Sequence, residues 1–309
     1  MKSLLLTTLA FTAALGFTAS AKQTEPAPAG KAPEASTVSP VTVTPGTKAD
    51  LLVDPTTQFV REHLPESTFS EQYPRFRDDI CVHVQGLPPE YGAFIAKRIV
   101  AVAGQVHAPV AAAANCKPNI HVVFETEPEK LLNDMAKRKD ILLGFYWNAA
   151  DLKRIATFNR PIQSWYVTRT RGANGESRLE IHDPTDFKNP RVGRAGSRLS
   201  NGMSTEVVHT VVVANANKVA GEKIDAVADY IAVLALAKWK SPEHCGSMPS
   251  ILNLLAEGCA DDPPQAATTA DIALLTGLYS VDPRELGSQQ RATIASAVRK
   301  ATKAEPQTR

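Results

Sequence analysis

The residues able to carry chemistry in this chain are few and scattered. Its seven histidines are His63, His83, His107, His121, His182, His209 and His244. Histidine is the side chain whose ordinary pKa lies nearest neutrality, so each is a candidate base, acid or metal ligand. No two are four apart on a predicted helix, the spacing that puts two imidazoles on one face for zinc. His83, His121 and His209 fall in predicted strands and are candidates to converge in space. His209 with His182 and Asp183, beside a long loop, would suit a hydrolase. Glu125, Glu127 and Glu129 alternate at a strand end, where two carboxylates could serve glycoside hydrolysis. Acidity at the start of a helix opened by Pro128 accounts for two of them more simply. Arg191, Arg194 and Arg198 punctuate a Gly-rich loop and are suited to grip a carboxylate or phosphate, or to stand in water. Phe145-Tyr146-Trp147 and Trp165-Tyr166 are aromatic runs of the kind that line sugar or peptide grooves, and that also pack cores. There is no Gly-x-Ser-x-Gly elbow, P-loop or G-x-G-x-x-G. No cofactor is expected.

Four cysteines, Cys81, Cys116, Cys245 and Cys259, make an even set. In an exported protein that favours disulfides. A four-cysteine zinc site would show CxxC spacing, which is missing. Three pairings are open. Cys81–Cys116 with Cys245–Cys259 is favoured because each then closes a short loop within one structural unit.

The export expectation comes from the N-terminus. Lys2 supplies a positive start, Ser3 to Phe17 is uncharged and apolar, and Ala19-Ser20-Ala21 is a small-x-small cleavage site. The apolar run is short for a membrane span, and residues 1–21 read as a signal peptide. Residues 22–50 carry Pro26, Pro28, Pro33, Pro40 and Pro45 with almost no large apolar residue, the composition of an extended tether. Residues 51–304 read as one globular domain. No later stretch is apolar enough to span a membrane. A net charge of +2 gives no electrostatic reason to expect nucleic acid or acidic membranes as partners. The expected location is periplasmic or secreted.

Within the domain, periodicity predicts helices over 56–64, 88–106 and 128–138, and strands over 79–85, 119–125, 162–170 and 206–214. Residues 171–203 read as a hairpin and a long loop. Residues 225–238 form a helix with no polar face, hence buried. Shorter helices follow over 249–256, 269–278 and 288–303. The order argues for an α+β domain, a mixed sheet with one buried helix at about 222–238 and helices gathered at the C-terminus.

The stretch Ala228-Asp229-Tyr230-Ile231-Ala232-Val233-Leu234-Ala235 resembles the H-E-x-x-H-x-x-G helix of metzincin-type zinc peptidases with its chemistry removed. Ala228 and Ala232 stand at the two histidine positions, Asp229 at the general base, Ala235 at the glycine and Lys238 at a third histidine. Pro249-Ser250-Ile251-Leu252 resembles the turn beneath the zinc, with Leu252 for its methionine. Thr268-Thr269-Ala270-Asp271-Ile272-Ala273 with Leu278-Tyr279 resembles the closing helix. The domain from about residue 75 is also similar to a family of uncharacterised exported bacterial proteins. That likeness is carried by Ile80-Cys81, Gly86-Leu87, Cys116-Lys117-Pro118-Asn119, Pro161-Ile162-Gln163-Ser164-Trp165-Tyr166, Ala228 to Ala232, and Leu274 to Tyr279. The resemblance implies a zincin-like fold, and alanine, having no donor atom, implies no zinc. The expected function is a non-catalytic, pseudopeptidase-like module binding a peptide or protein in a remnant cleft at Asp229, Tyr230 and His209. An envelope hydrolase and a structural envelope protein are the alternatives.

Overall fold

Two segments are dominated by β-branched residues, and both become central strands. Ile120–Glu125 is β2 and Met203–Asn215 is β5. In the computed structural model, the described residues are 54–113, 115–138, 142–181, 201–240, 245, 248–256, 258–259 and 262–304. The segments expected to be a signal peptide (1–21) and a tether (22–50) therefore lie outside them, as do Arg191, Arg194, Arg198, His182, Asp183 and His244. The described residues belong to one compact unit, Leu51–Arg309.

The sheet has five strands: β1 (Val82–Gln85), β2, β3 (Ile162–Gly172), β4 (Ser177–Glu180) and β5, in the order β1-β2-β5-β3-β4. The pairs β1–β2 and β2–β5 are parallel, and β5–β3 and β3–β4 antiparallel. The expected mixed sheet of an α+β domain is present. Among the described residues, eight α-helices accompany it: α1 (Pro55–His63), α2 (Pro89–Gln105), α3 (Pro128–Ala136), α4 (Ala149–Ile155), α5 (Ala216–Val219), α6 (Ile224–Leu236), α7 (Thr269–Ser280) and α8 (Gly287–Ala304). Of these, α4 and α5 escaped the periodicity argument, being too short to show a stripe. The predicted helix over 249–256 is instead a 3-10 turn, Ile251–Leu255.

Strand alternation sends the two sheet faces to different partners. Ile120, Val122, Phe124, Val212 and Ala214 join the main core with α2 and α6. Val123, Val211, Val213 and Trp165 face the other way, into a second cluster under α3 with Leu132, Met135, Leu143 and Phe158. Helix α2 buries Ile95, Ile99, Val102 and Ala103, one stripe at helical spacing. Helix α6 is buried at every residue from Ala226 to Leu236, as its apolar circumference requires. A helix end inside a core leaves carbonyls without intrahelical partners. Here three aromatic side chains supply donors. The Trp239 indole N–H donates to Val233 O at 2.8 Å, Tyr166 Oη–H to Leu234 O at 2.7 Å, and Tyr279 Oη–H to Leu236 O at 2.6 Å.

Close approach of another backbone selects glycine at several positions, two of which set the packing around the core. Gly86 has φ +88°, and a Cβ there would lie 1.9 Å from Phe124 O. A Cβ on Gly277 would lie 2.9 Å from Ile294 Cα, so this glycine sets how tightly α7 packs on α8. Two buried side-chain atoms, Thr210 Oγ1 and Glu285 Oε2, have no hydrogen-bond partner among the described residues. Removing an unpaired buried hydroxyl recovers its desolvation cost. Thr210→Val is expected to stabilise the domain by about 1 kcal/mol, read as a raised urea midpoint at unchanged m-value.

Candidate functional site

The segments that carried the zincin resemblance pack as one unit. Asp271, at the third position of α7, is fully buried. It accepts from Ser250 Oγ at 2.6 Å and from the Ile251 amide at 2.8 Å, and it closes a capping box with Thr268. Burial pushes its pKa up, against those donors. The turn at 249–252 is thereby tied to α7, and the Tyr279 bond ties α7 to the end of α6. Leu252 is buried beneath.

At the positions aligned with zinc ligands, the helix holds no donor side chain. Ala228 and Ala232 are 0% exposed. Asp229, expected at the cleft, is 3% exposed. Arg98 grips both its oxygens, Nε on Oδ1 and Nη2 on Oδ2 at 2.9 Å, and the Ala267 amide donates to Oδ2 at 2.8 Å. Three charge-assisted or amide hydrogen bonds engage both oxygens, and burial closes the carboxylate off from solvent. Tyr230 is buried as well, and that burial pushes its pKa up to about 12. Asp229 and Tyr230 therefore brace the interior and do not line an open cleft. The reason is that α6 is surrounded on every side. Lys238 lies past the helix end, half-buried, and burial lowers its pKa while Glu180 opposes the shift.

His209 stands elsewhere, on the face of the sheet away from α6. The register aligns His83 with His121, and His209 lies two residues before Val211, the partner of His121. The three rings form a row, with centroids 5.9 Å apart for His83–His121 and 5.0 Å for His121–His209. The three strand histidines thus converge. His83 is exposed, and the other two are half-buried. An irregularity in β5 adjoins the row. Val167 pairs with His209 and Thr168 with Val207, so Val208 is an extra residue. Desolvation, and then His121, holds the His209 pKa down at about 4. Desolvation, and then His83, lowers that of His121, against a hydrogen bond to the backbone of Pro118.

The pH dependence follows in sign. Unfolded His209 binds a proton below about pH 6.5, whereas the folded residue does so only near 4. Its stabilising contribution is complete above about 6.5, declines as pH falls and is gone below about 4. Melting temperatures across that window should fall with acid, and His209→Asn should flatten the fall.

Two groupings lacked a sequence signal. Glu180, buried at the end of β4, accepts from four hydroxyls, Ser67, Thr168, Thr170 and Thr205, at 2.6–3.0 Å. Only the Thr-x-Thr spacing on β3 is local. Phe69, Phe145 and Trp147 stack edge to face, with centroids 5.3 and 4.8 Å apart, and Trp147 is 61% exposed. The other aromatic run is interior. Trp165 packs under α4 and donates its indole N–H to Ile155 O. Glu125 bonds its own strand end at the Thr126 and Glu127 amides, which lower its pKa. Glu127 pairs with Lys130. The expected disulfides, Cys81–Cys116 and Cys245–Cys259, are both present and fit an extracytoplasmic location. Among the described residues, no helix is long and apolar enough to cross a membrane. The chain matches no protein family, no curated protein and no solved structure.

Proposed function

We propose that the chain is an exported, zincin-like pseudopeptidase module that binds an extended peptide or protein segment without cleaving it. The observation that carries the reading is the state of α6. The positions that would hold zinc are buried alanines, and the carboxylate in the place of the base is consumed by Arg98 and the Ala267 amide. The packing of the 249–252 turn and α7 around that helix supports the zincin-like architecture. With Asp229 and Tyr230 interior, the docking element is the Phe69–Phe145–Trp147 stack. Its rings give contact area at little entropic cost.

The test has two arms, both on the purified protein. Incubation with a fluorogenic peptide library, with and without added zinc, should give no cleavage; zinc-dependent cleavage would sink the non-catalytic reading. Selection from a displayed peptide library should enrich ligands that Trp147→Ala no longer retains. Failure to enrich any sequence, or enrichment indifferent to Trp147, would overturn the binding site.

A further inference from the structure

The imidazole row is a chemistry-bearing cluster that the proposed function does not use, and the inference drawn from it does not rest on that function. We propose that His121 and His209 bind a single late divalent transition-metal ion, of the Ni2+, Cu2+ or Zn2+ class.

The argument is geometric first. With metal–nitrogen bonds of about 2.1 Å, two imidazoles on one ion bring their ring centroids to roughly 5–6 Å. His121 and His209 stand 5.0 Å apart, already within that range. They are carried by neighbouring strands of a five-stranded sheet, a backbone that holds them at fixed separation. Both are half-buried, so an ion there has solvent on one side and protein on the other. The valines at alternate positions, Val123 and Val211, are buried beneath α3 and form an apolar shoulder to the site.

The chemistry agrees. A ligating histidine ordinarily donates its other ring N–H to a carbonyl or carboxylate, which fixes the tautomer. The backbone of Pro118 lies beside His121 and favours its protonated form, a neighbour of the kind that orients a ligating ring. The ring packed against His209 is that of His121. A purely imidazole set selects late transition ions over Mg2+ or Ca2+, which need oxygen ligands. Among the described residues, no three His, Cys, Asp or Glu side chains are placed to hold one ion. The site is accordingly a two-imidazole site whose remaining positions are filled by water or by an incoming ligand.

The experiment is a titration of the tag-free protein with NiCl2 by calorimetry, followed by heteronuclear NMR of the nickel complex. One ion per chain is expected. His121→Ala and His209→Ala should each weaken binding about tenfold or more, and the double variant should lose saturable binding. Paramagnetic broadening in the wild type should centre on the amides of residues 121 and 209, a readout independent of whether the variants fold. Absence of saturable uptake would overturn the proposal, as would uptake retained by the double variant. So would broadening centred elsewhere, or loss in His83→Ala with His209→Ala unaffected, which would place the ion on the other pair.

Discussion

Replacing Arg98 with alanine is expected to lower the stability of the domain by about 3 kcal/mol, measured by urea denaturation. Asp229 sits in the middle of the most buried helix, its side chain 4% exposed, while that of Arg98 is 41% exposed. The guanidinium binds both carboxylate oxygens and reaches across 131 residues of sequence. Without it, the carboxylate keeps only the Ala267 amide, and an uncompensated charge stays in the core. Breaking a fully buried pair costs about 3–5 kcal/mol. The partial exposure of Arg98 places this case at the lower end. Asp229→Asn should cost less, because an amide oxygen can still accept from Ala267 and no charge is stranded. The double variant should cost less than the sum of the two single ones, as groups in direct contact require. Strict additivity would show that the pair does not act as a unit. The same experiment bears on the proposed function, since a structural Asp229 predicts loss of stability with no change in peptide binding by the remaining folded protein.

Removal of the Cys81–Cys116 bridge, by replacing both cysteines with serine, should cost about 4 kcal/mol on the chain-entropy relation. The two residues are 35 apart in sequence, so reduction releases a sizeable loop in the unfolded chain. The folded corner is held by other bonds as well. Asn119 Oδ1 accepts from the Cys81 amide at 2.8 Å, and Asn119 Nδ2 donates to Asp79 O. The native state should therefore survive, and the loss should be expressed through the unfolded one. That predicts a lower denaturation midpoint together with a larger m-value, because the freed chain exposes more surface. A variant with unchanged midpoint would show that the bridge does not brace the domain. Cys245–Cys259 closes a loop of separation 14, for which the same relation gives about 3 kcal/mol.

Local patterns determined much of this architecture. The segment 225–238 shows no clear polar face, so its burial was legible before any partner was known, and residues 226–236 are buried. The β-branched runs at 119–125 and 206–214 read as strands, and strands form there. The even cysteine count and the loop lengths pointed to the two bridges that form. The resemblance around residues 228–235 was legible too, and so was the absence of metal-binding side chains within it.

What the sequence could not reveal depends on contacts between distant residues. The row of His83, His121 and His209 exists because β5 inserts beside β2 and skips β3 and β4, so that three histidines far apart in the chain share one face. Periodicity fixes which way a side chain points from its strand, but not which strand lies alongside. Asp229 looked like a cleft residue because it follows the first ligand position of a peptidase-like helix. Its partner Arg98 comes from α2, and only the packing of α2 on α6 turns the carboxylate into a structural brace. Glu180 likewise draws donors from residues 67, 168, 170 and 205, which no local window contains. Sequence alone thus settled which elements form and how apolar each face is, because those depend on neighbours within a few residues. The tertiary structure decided which polar groups remain available for chemistry, because desolvation and pairing are set by whatever the fold brings within a few ångströms.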